Sequence, residues 1–291
     1  MAGYLKAFHS FWSAPNRIKN GGKITFPDYE QLTAILSALL WKKHNGPVCM
    51  ITDSPGAELL EILGLLPFWD ETVVALDGLE NRLNPVWSWA AGKLAALKTM
   101  PIPCVMLDTD LIVWKNLSSC LNADVIAAHA EPLNPRTYPD PASFRMKAGF
   151  YFPRHWDFTE SAANTAFLYL KNAGFRDLYT DAALDFLRNV EVDHVDPVQT
   201  MCFAEQRLLP VCAKANGQKL GFLIELRTAQ RQDLLTHNWG FKQILNRNRA
   251  AREEFCLRCV RRILIEAPET VTLLDACRDL SGYLKEVQTA I

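Results

Sequence analysis

The sequence has no apolar run that approaches the roughly 20 residues needed to cross a bilayer as a helix. Residues 1–12 also lack the long apolar core and the small-residue cleavage site of a secretory leader. Both absences favour a soluble, cytoplasmic protein. We therefore expect its cysteine thiols to be reduced.

The sequence also lacks an excess of charge of one sign. Its 31 basic and 32 acidic residues give a formal net charge of -1, so the chain has no broad attraction to nucleic acid. Internal repeats and low-complexity segments are absent as well. Of the 291 residues 49% are apolar, which is enough to bury a large core. We predict a main domain at residues 1–240 and a C-terminal helical extension at residues 241–291 packed on it.

Paired cysteine motifs are scarce. Six of the eight cysteines stand alone among apolar neighbours, which is typical of small core residues. Cys256 and Cys259 form a single CxxC within a helical pattern, without a second pair or an adjacent strand. Zinc and redox sites need further ligands or another context. We therefore predict that both thiols belong to the core.

Apolar runs alternate with helical patterns along much of the chain. Predicted strands lie at residues 5–12, 48–52, 72–76, 103–107, 123–130, 149–152 and 221–226. Predicted helices lie at residues 28–44, with Asp28 as cap, at 53–65 and at 85–99, and the chain after residue 156 is mainly helical. Unbroken apolar strands between helices are typical of a mostly parallel sheet with helices on both faces. The predicted fold class is therefore α/β.

Two carboxylates follow the strand at residues 103–107, as Asp108-Thr109-Asp110. Ligands of open α/β sheets bind beyond the carboxyl ends of the strands. Two adjacent negative charges are costly there unless a cation lies between them. Carboxylate oxygens suit Mg²⁺ or Mn²⁺, which keep open positions for diphosphate oxygens. The pattern predicts a divalent cation on Asp108 and Asp110; the alternative is a capped, solvent-facing turn.

The same segment resembles the centre of the glycogenin-like glycosyltransferases. The matching residues are Lys93-Leu94, Leu97, Cys104 to Val113 and Asn116-Leu117. Further matches follow in the family's order at Ala148-Gly149-Phe150-Tyr151-Phe152, at Glu205-Gln206-Arg207-Leu208-Leu209 and at His237-Asn238-Trp239-Gly240-Phe241-Lys242. The chain departs from the pattern at Lys147, where the family has Asn, and at Gln243, where it has Pro.

The resemblance implies a GT-A-like fold and a transfer of sugar from a nucleotide diphosphate, UDP-sugar above all, with retention of configuration. It implies that His237 completes the metal site and that Glu205 lies beside the reacting centre as the catalytic residue. Residues that it places near the donor are Thr52, Asp53, Lys93, Thr109, Gly149, Gln206, Gly240 and Lys242. The acceptor stays open between a glycan, a protein and a small molecule.

Other interpretations stay open at this point. Asp108 and Asp110 also fit a magnesium-dependent phosphohydrolase, which favours a Gly-Thr turn where Leu111-Ile112 stands. A non-catalytic protein that binds nucleotide-sugar is a third candidate. An inverting enzyme needs a general base. Candidates for that base are Asp181, Asp193 and Asp196.

Residues 243–262 hold six arginines and two glutamates. Cys256, Cys259, Val260 and Ile263 follow helical spacing, so the arginines fall mostly on the opposite face. We interpret that face as solvated. Peripheral contact with an anionic membrane surface is the alternative.

Overall fold

The structure is a computed structural model that describes residues 5–191, 196–225, 233–238 and 240–290. Its strands are β1 (Lys6–Phe11), β2 (Val48–Thr52), β3 (Glu71–Val74), β4 (Cys104–Leu107), β5 (Leu111–Val113), β6 (Val125–Glu131), β7 (Ala162–Leu170), β8 (Leu220–Phe222) and β9 (Leu235–His237). Its α-helices are α1 (Ser13–Lys19), α2 (Asp28–His44), α3 (Ser54–Ile62), α4 (Ala91–Thr99), α5 (Ala173–Asn189), α6 (Pro197–Cys202), α7 (Leu208–Ala215), α8 (Phe241–Arg247), α9 (Arg249–Glu266), α10 (Val271–Ala276) and α11 (Ser281–Thr289).

Seven strands of the described chain form one sheet, in the order β3-β2-β1-β4-β7-β6-β8. Strand β7 runs antiparallel to both of its neighbours, and the remaining pairs are parallel. Strands β5 and β9 form a separate antiparallel pair. The prediction of an α/β fold, with a mostly parallel sheet flanked by helices and a helical C-terminal part, is confirmed.

Apolar side chains cover both faces of the sheet. Along β2, Val48 and Met50 belong to the cluster under α2 and α9, whereas Cys49 and Ile51 belong to the cluster under α4 and α5. Successive side chains of a strand point to opposite faces. Strand β2 is buried throughout for this reason, and its sequence lacks polar alternation.

The C-terminal helices pack on the α2 side of the sheet, where Cys256 and Cys259 are buried in the cluster that also contains Leu32 and Trp41. The prediction that both thiols belong to the core is confirmed. The eight cysteines all lie in the described part of the chain and are free. No helix of that part is long and apolar enough to cross a membrane. The division into residues 1–240 and 241–291 stays a prediction.

Several predicted elements need correction. Helix α2 has the predicted bounds, but Pro27 is its cap, while the Asp28 carboxylate accepts bonds from Arg252 and Tyr283. Helix α4 begins only at Ala91, after a series of turns. The predicted strand at residues 149–152 is wrong, because Gly149 has a left-handed φ of 89° and the phenylalanines beside it pack in an aromatic cluster.

The strands predicted from the sequence do not include β5, β7 or β9. Residues 162–170 are apolar and rich in alanine and leucine, and such a run fits a buried helix as well as a strand. The last predicted strand is also shorter than expected, since β8 ends at Phe222. Its predicted end, Leu226, lies outside the described residues, as do Asp193 and Trp239.

Candidate functional site

The turn with both aspartates lies at the carboxyl end of β4, in the middle of the sheet. The Asp108 amide donates to the Ala166 carbonyl of β7 at 2.8 Å, which fixes the start of the turn. The Leu111 amide then donates to the Asp108 carbonyl at 3.0 Å and closes it. Asp110 is 5% exposed, and Asp108 is partly buried. The two carboxylates are therefore held on a short, bonded turn.

His237 reaches the aspartates through the pairing of β5 with β9, in which Leu111 lies opposite His237. The His237 Nε2 atom is 3.5 Å from Asp110 Oδ1 and 3.8 Å from Asp108 Oδ2. His237 is the last residue of β9, which fixes its backbone. The expected neighbourhood of the three side chains is present, since their ligand atoms all lie within 4.8 Å of one another.

This donor set fits a small divalent cation. Around an octahedral Mg²⁺ or Mn²⁺ with bonds of about 2.1 Å, adjacent ligands are about 3.0 Å apart and opposite ligands about 4.2 Å. The distances from His237 to the carboxylates fall between these values. Two carboxylates and one imidazole also leave coordination positions for further oxygens. The three side chains form a possible metal-binding site.

Lys93 lies beside the possible metal site, between two carboxylates. Its Nζ atom is 2.7 Å from Asp108 Oδ1 and 2.5 Å from Glu205 Oε1. Burial lowers the pKa of Lys93, but the two carboxylates outweigh this effect and raise the pKa above its ordinary value. Lys93 therefore stays charged and joins α4 to the end of β4.

Glu205 is 3% exposed and lies in a π-helical turn, Phe203–Arg207. The hydroxyl of Thr165 on β7 donates to its carboxylate, and the Tyr179 hydroxyl donates to its backbone carbonyl at 2.5 Å. Such single π-turns inside helices occur often at functional sites. Here the turn directs the Glu205 carboxylate towards Lys93.

Lys242 lies beside the metal ligands on α8, which begins after Gly240 with a left-handed φ of 81°. Its Nζ atom is 3.0 Å from Asp110 Oδ2 and 3.9 Å from Glu30 Oε1. Burial lowers the pKa of Lys242, and the two carboxylates reverse this effect and raise it. Burial raises the pKa of Asp110, but His237 and Lys242 outweigh it and lower the pKa below the usual range. Burial raises the pKa of Glu30, and Asp110 adds to this effect.

The remaining predicted donor residues lie in different surroundings. Thr52 ends β2 at the same edge of the sheet, and Asp53 follows it as the N-cap of α3. The Asp53 carboxylate accepts bonds from the amide and the hydroxyl of Ser13. Gln206 accepts a 2.6 Å hydrogen bond from the Tyr138 hydroxyl.

Thr109 lies within the aspartate turn and is partly buried. Gly149 is exposed, and its neighbour Lys147 is bonded to the end of α5 through the carbonyls of Arg188 and Asn189. Within the described chain, no hydrogen bond joins Gly149 to the aspartates. The structure thus brings Thr109 to the site and ties the segment of Gly149 to α5.

Sequence reasoning missed Glu30 and Thr165. Glu30 lies near the start of α2, and nothing in its local pattern separates it from a surface glutamate. Thr165 could have been found from the sequence. The family has an Asn where Lys147 stands, and Asn164-Thr165-Ala166 contains such an Asn. This segment has alanine where the resemblance asks for glycine, and it lies on β7 directly beside β4.

The arginines of α9 are mostly engaged with acidic side chains. Arg249, Arg258 and Arg262 each pair with a glutamate one turn away, and Arg252 pairs with Asp28. Cys256, Cys259, Val260 and Ile263 are buried on the opposite side of the helix. The interpretation as a solvated face agrees with this arrangement, and membrane contact stays a prediction.

The fold and the site together define an α/β protein with a possible divalent-cation site at the carboxyl end of a mostly parallel sheet. Residues 5–271 match the family DUF6734, described as a family of unknown function, and the chain belongs to this family. None of the curated proteins compared with the chain matches its sequence significantly.

Similar solved structures include three glycosyltransferases. Mouse xyloside xylosyltransferase 1 in its apo form is 11% identical, over 76% of this chain and 85% of that chain, with a TM-score of 0.39. The PaToxG glycosyltransferase is 12% identical, over 88% and 78%, with a TM-score of 0.39. The galactosyltransferase LgtC, in complex with donor and acceptor sugar analogues, is 8% identical, over 75% and 73%, with a TM-score of 0.38.

Proposed function

We propose that the protein is a metal-dependent glycosyltransferase that moves a sugar from a nucleotide diphosphate, UDP-sugar above all, to an acceptor with retention of configuration. One observation carries this proposal. The ligand atoms of Asp108, Asp110 and His237 lie within 4.8 Å of one another, and Lys93 and Lys242 contact the two aspartates. Three cation ligands beside two ammonium groups suit a diphosphate.

Asp108, Asp110 and His237 would hold the cation, Mn²⁺ or Mg²⁺. When bound, such a cation acts as a Lewis acid that stabilises negative charge on diphosphate oxygens. Lys93 would supply positive charge beside Asp108, and Lys242 beside Asp110, next to where the diphosphate would bind. Fixed charges aimed at a leaving group that becomes more negative accelerate its departure.

We revise the role of Glu205. The sequence-based prediction places it beside the reacting centre as the catalytic residue. Its carboxylate is buried and is engaged by Lys93 and Thr165. We therefore assign it to positioning Lys93, and Glu30 holds Lys242 in the same way. Each lysine is thus shared between one aspartate of the turn and one glutamate from a helical segment.

Retention of configuration is supported by the ion pairs and hydrogen bonds that the candidate carboxylates already make. An inverting transfer needs a general base that can take the acceptor proton. Asp181 pairs with Lys98, and Asp196 caps α6 by accepting from the Val198 amide. Near the aspartate turn, Glu205 is paired with Lys93 and Glu30 with Lys242. A retaining transfer can instead pass the proton to the departing phosphate oxygen.

The test is a panel of nucleotide-sugars with the purified protein in Mn²⁺. A true donor at about 100 times its dissociation constant should add roughly 2.7 kcal/mol to the unfolding free energy, which thermal denaturation detects. The same donor should then be consumed when an acceptor, or water as a slow substitute, is present. Binding without consumption over long incubation would favour a non-catalytic nucleotide-sugar-binding protein. The absence of any Mn²⁺-dependent stabilisation would contradict the proposal.

A further inference from the structure

A buried chain of hydrogen bonds runs from Trp69 to β5, the strand that follows the aspartate turn. Trp69 Nε1 lies 3.0 Å from His9 Nδ1, and His9 Nε2 lies 3.0 Å from Ser37 Oγ. Ser37 Oγ lies 2.5 Å from the Leu111 carbonyl. All four residues are buried, with exposures of 0% for His9 and 1% for Ser37. None of them belongs to the proposed donor site.

The direction of each bond in this chain is determined. An indole Nε1–H can only donate, so His9 Nδ1 must accept and carry no proton. The neutral ring then has its proton on Nε2 and donates it to Ser37. A backbone carbonyl can only accept, so the Ser37 hydroxyl donates to Leu111. Burial lowers the pKa of His9 to about 4, which agrees with a neutral ring.

The chain of hydrogen bonds ends at the Leu111 carbonyl, which cannot accept a hydrogen bond from β9. In the β5–β9 pair the Asn238 amide donates to the Asp110 carbonyl at 3.1 Å, so Leu111 and His237 form a non-hydrogen-bonded pair. The Leu111 amide and carbonyl therefore point away from β9. The amide closes the aspartate turn, and the carbonyl meets Ser37. A buried carbonyl needs such a partner.

Leu111 thus connects the three proposed metal ligands. It follows Asp110 directly, its amide bonds to Asp108, and it lies opposite His237. A displacement of Leu111 changes the distances among all three side chains. We propose that the chain Trp69–His9–Ser37 is a positioning device that holds Leu111, and with it the geometry of the cation site. This inference rests on the proposed metal site.

The test compares Ser37→Ala with Thr180→Ala. Thr180 is also fully buried, but its hydroxyl bonds within α5 on the other face of the sheet, so it is a matched control. The dissociation constant for Mn²⁺ is measured by electron paramagnetic resonance of the free ion, without donor or acceptor. Folding is followed by thermal denaturation in a chelator. Removing partners that orient metal ligands typically weakens binding by about 10-fold or more.

We expect both variants to lose some stability and only Ser37→Ala to bind Mn²⁺ about 10-fold more weakly. His9→Gln keeps an acceptor for Trp69 and a donor for Ser37, and it should bind Mn²⁺ like the wild type. If Ser37→Ala does not fold, Trp69→Phe breaks the far end of the chain and keeps the ring packing, and it should weaken Mn²⁺ binding severalfold.

Wild-type affinity in folded Ser37→Ala, or in folded Trp69→Phe, would overturn the inference and leave the metal site standing. An equal loss in Thr180→Ala would also overturn it, because the effect would then be a general loss of packing. A wild-type protein that binds no Mn²⁺ would remove the metal site and this inference together.

Discussion

Lys93 and Glu205 meet at 2.5 Å, and the same ammonium group is 2.7 Å from Asp108. One side chain of α4 therefore neutralises a carboxylate of the aspartate turn and a buried carboxylate of the π-helical turn. With Lys93 removed, both carboxylates lose this cationic partner. The consequences differ according to whether a divalent cation is present.

Lys93→Met should lower the unfolding free energy of the metal-free protein by about 3 kcal/mol, because it leaves buried carboxylates unpaired. Saturating Mn²⁺ should reduce this deficit, since the cation compensates Asp108. Donor turnover should stay low even then. Urea denaturation with and without Mn²⁺ measures the effect. Lys98→Met is the control, because Lys98 and its partner Asp181 are exposed and should show little change. A deficit that Mn²⁺ leaves unchanged would contradict the arrangement.

Asp110→Asn keeps the size of the side chain and removes a charged ligand. We expect the fold to persist and both the Mn²⁺-dependent thermal shift and donor consumption to disappear. Asp181→Asn changes an exposed carboxylate outside the turn and should behave like the wild type. Normal turnover in folded Asp110→Asn would exclude this turn as the active site.

His237→Ala should raise the Mn²⁺ concentration for half-maximal activity by about 10-fold or more, because one ligand of three is lost. The loss of stability should be small, since His237 ends a short strand. His155→Ala serves as the control, because His155 is exposed. An unchanged metal requirement would show that His237 is not a ligand.

Because His9 is buried, we expect the protein to lose stability at mildly acidic pH. Its pKa is 6.5 as an ordinary histidine and about 4 in the fold, where burial disfavours the charged ring. Between these values the unfolded chain binds a proton that the folded chain does not. The unfolding free energy should therefore fall as pH decreases from 6.5 to 4, by up to about 3 kcal/mol, and this residue adds no further loss below pH 4.

The unfolding free energies of the wild type and of His9→Gln are compared by urea denaturation at several pH values between 6.5 and 4. The variant cannot take up this proton, so its curve should be flatter than that of the wild type. Both proteins share every other titrating group, and the difference between the curves isolates His9. Parallel curves would show that His9 does not titrate as described.

Retention is tested with the first product. An α-linked donor sugar should give an α-linked product, which nuclear magnetic resonance of the anomeric proton identifies early in the reaction. A β-linked first product would replace the proposed mechanism by inversion. The metal site and the donor class would be unaffected by that result.

The sequence predicts the class of the fold because apolar strands and helices alternate with little ambiguity. Strand β4 and the turn after it follow directly from the run Cys104 to Leu107 and the two aspartates. Strand β7 could not be separated from a buried helix, since Ala162–Leu170 suits both. The short strand β9 has only three residues, and its pairing with β5 is a tertiary contact without a local signal.

The dependence on tertiary contacts also limits what can be predicted about the site from the sequence. Asp108, Asp110, His237, Lys93 and Lys242 lie together in the structure, and their roles at the site stay predictions. The burial of Glu205, and the approach of Glu30 to Lys242, depend on how helices from distant parts of the chain pack. A sequence pattern records the residue type at such places but not its exposure. The predicted strand at residues 149–152 is wrong because a glycine followed by aromatic residues also suits a turn, while the donor role of Gly149 stays a prediction.

The pairing of β5 with β9 also has a consequence for biosynthesis. The ligands Asp108 and Asp110 leave the ribosome long before His237, and the complete ligand set exists only when β9 has been made. The loop between them must close at an entropic cost before the pair forms, and such distant contacts slow folding. Because contacts this distant tend to form late, we expect most of the main sheet to assemble before a cation binds to the complete ligand set. A divalent ion should then shift the folding equilibrium mainly by slowing unfolding, not by speeding the first steps of collapse.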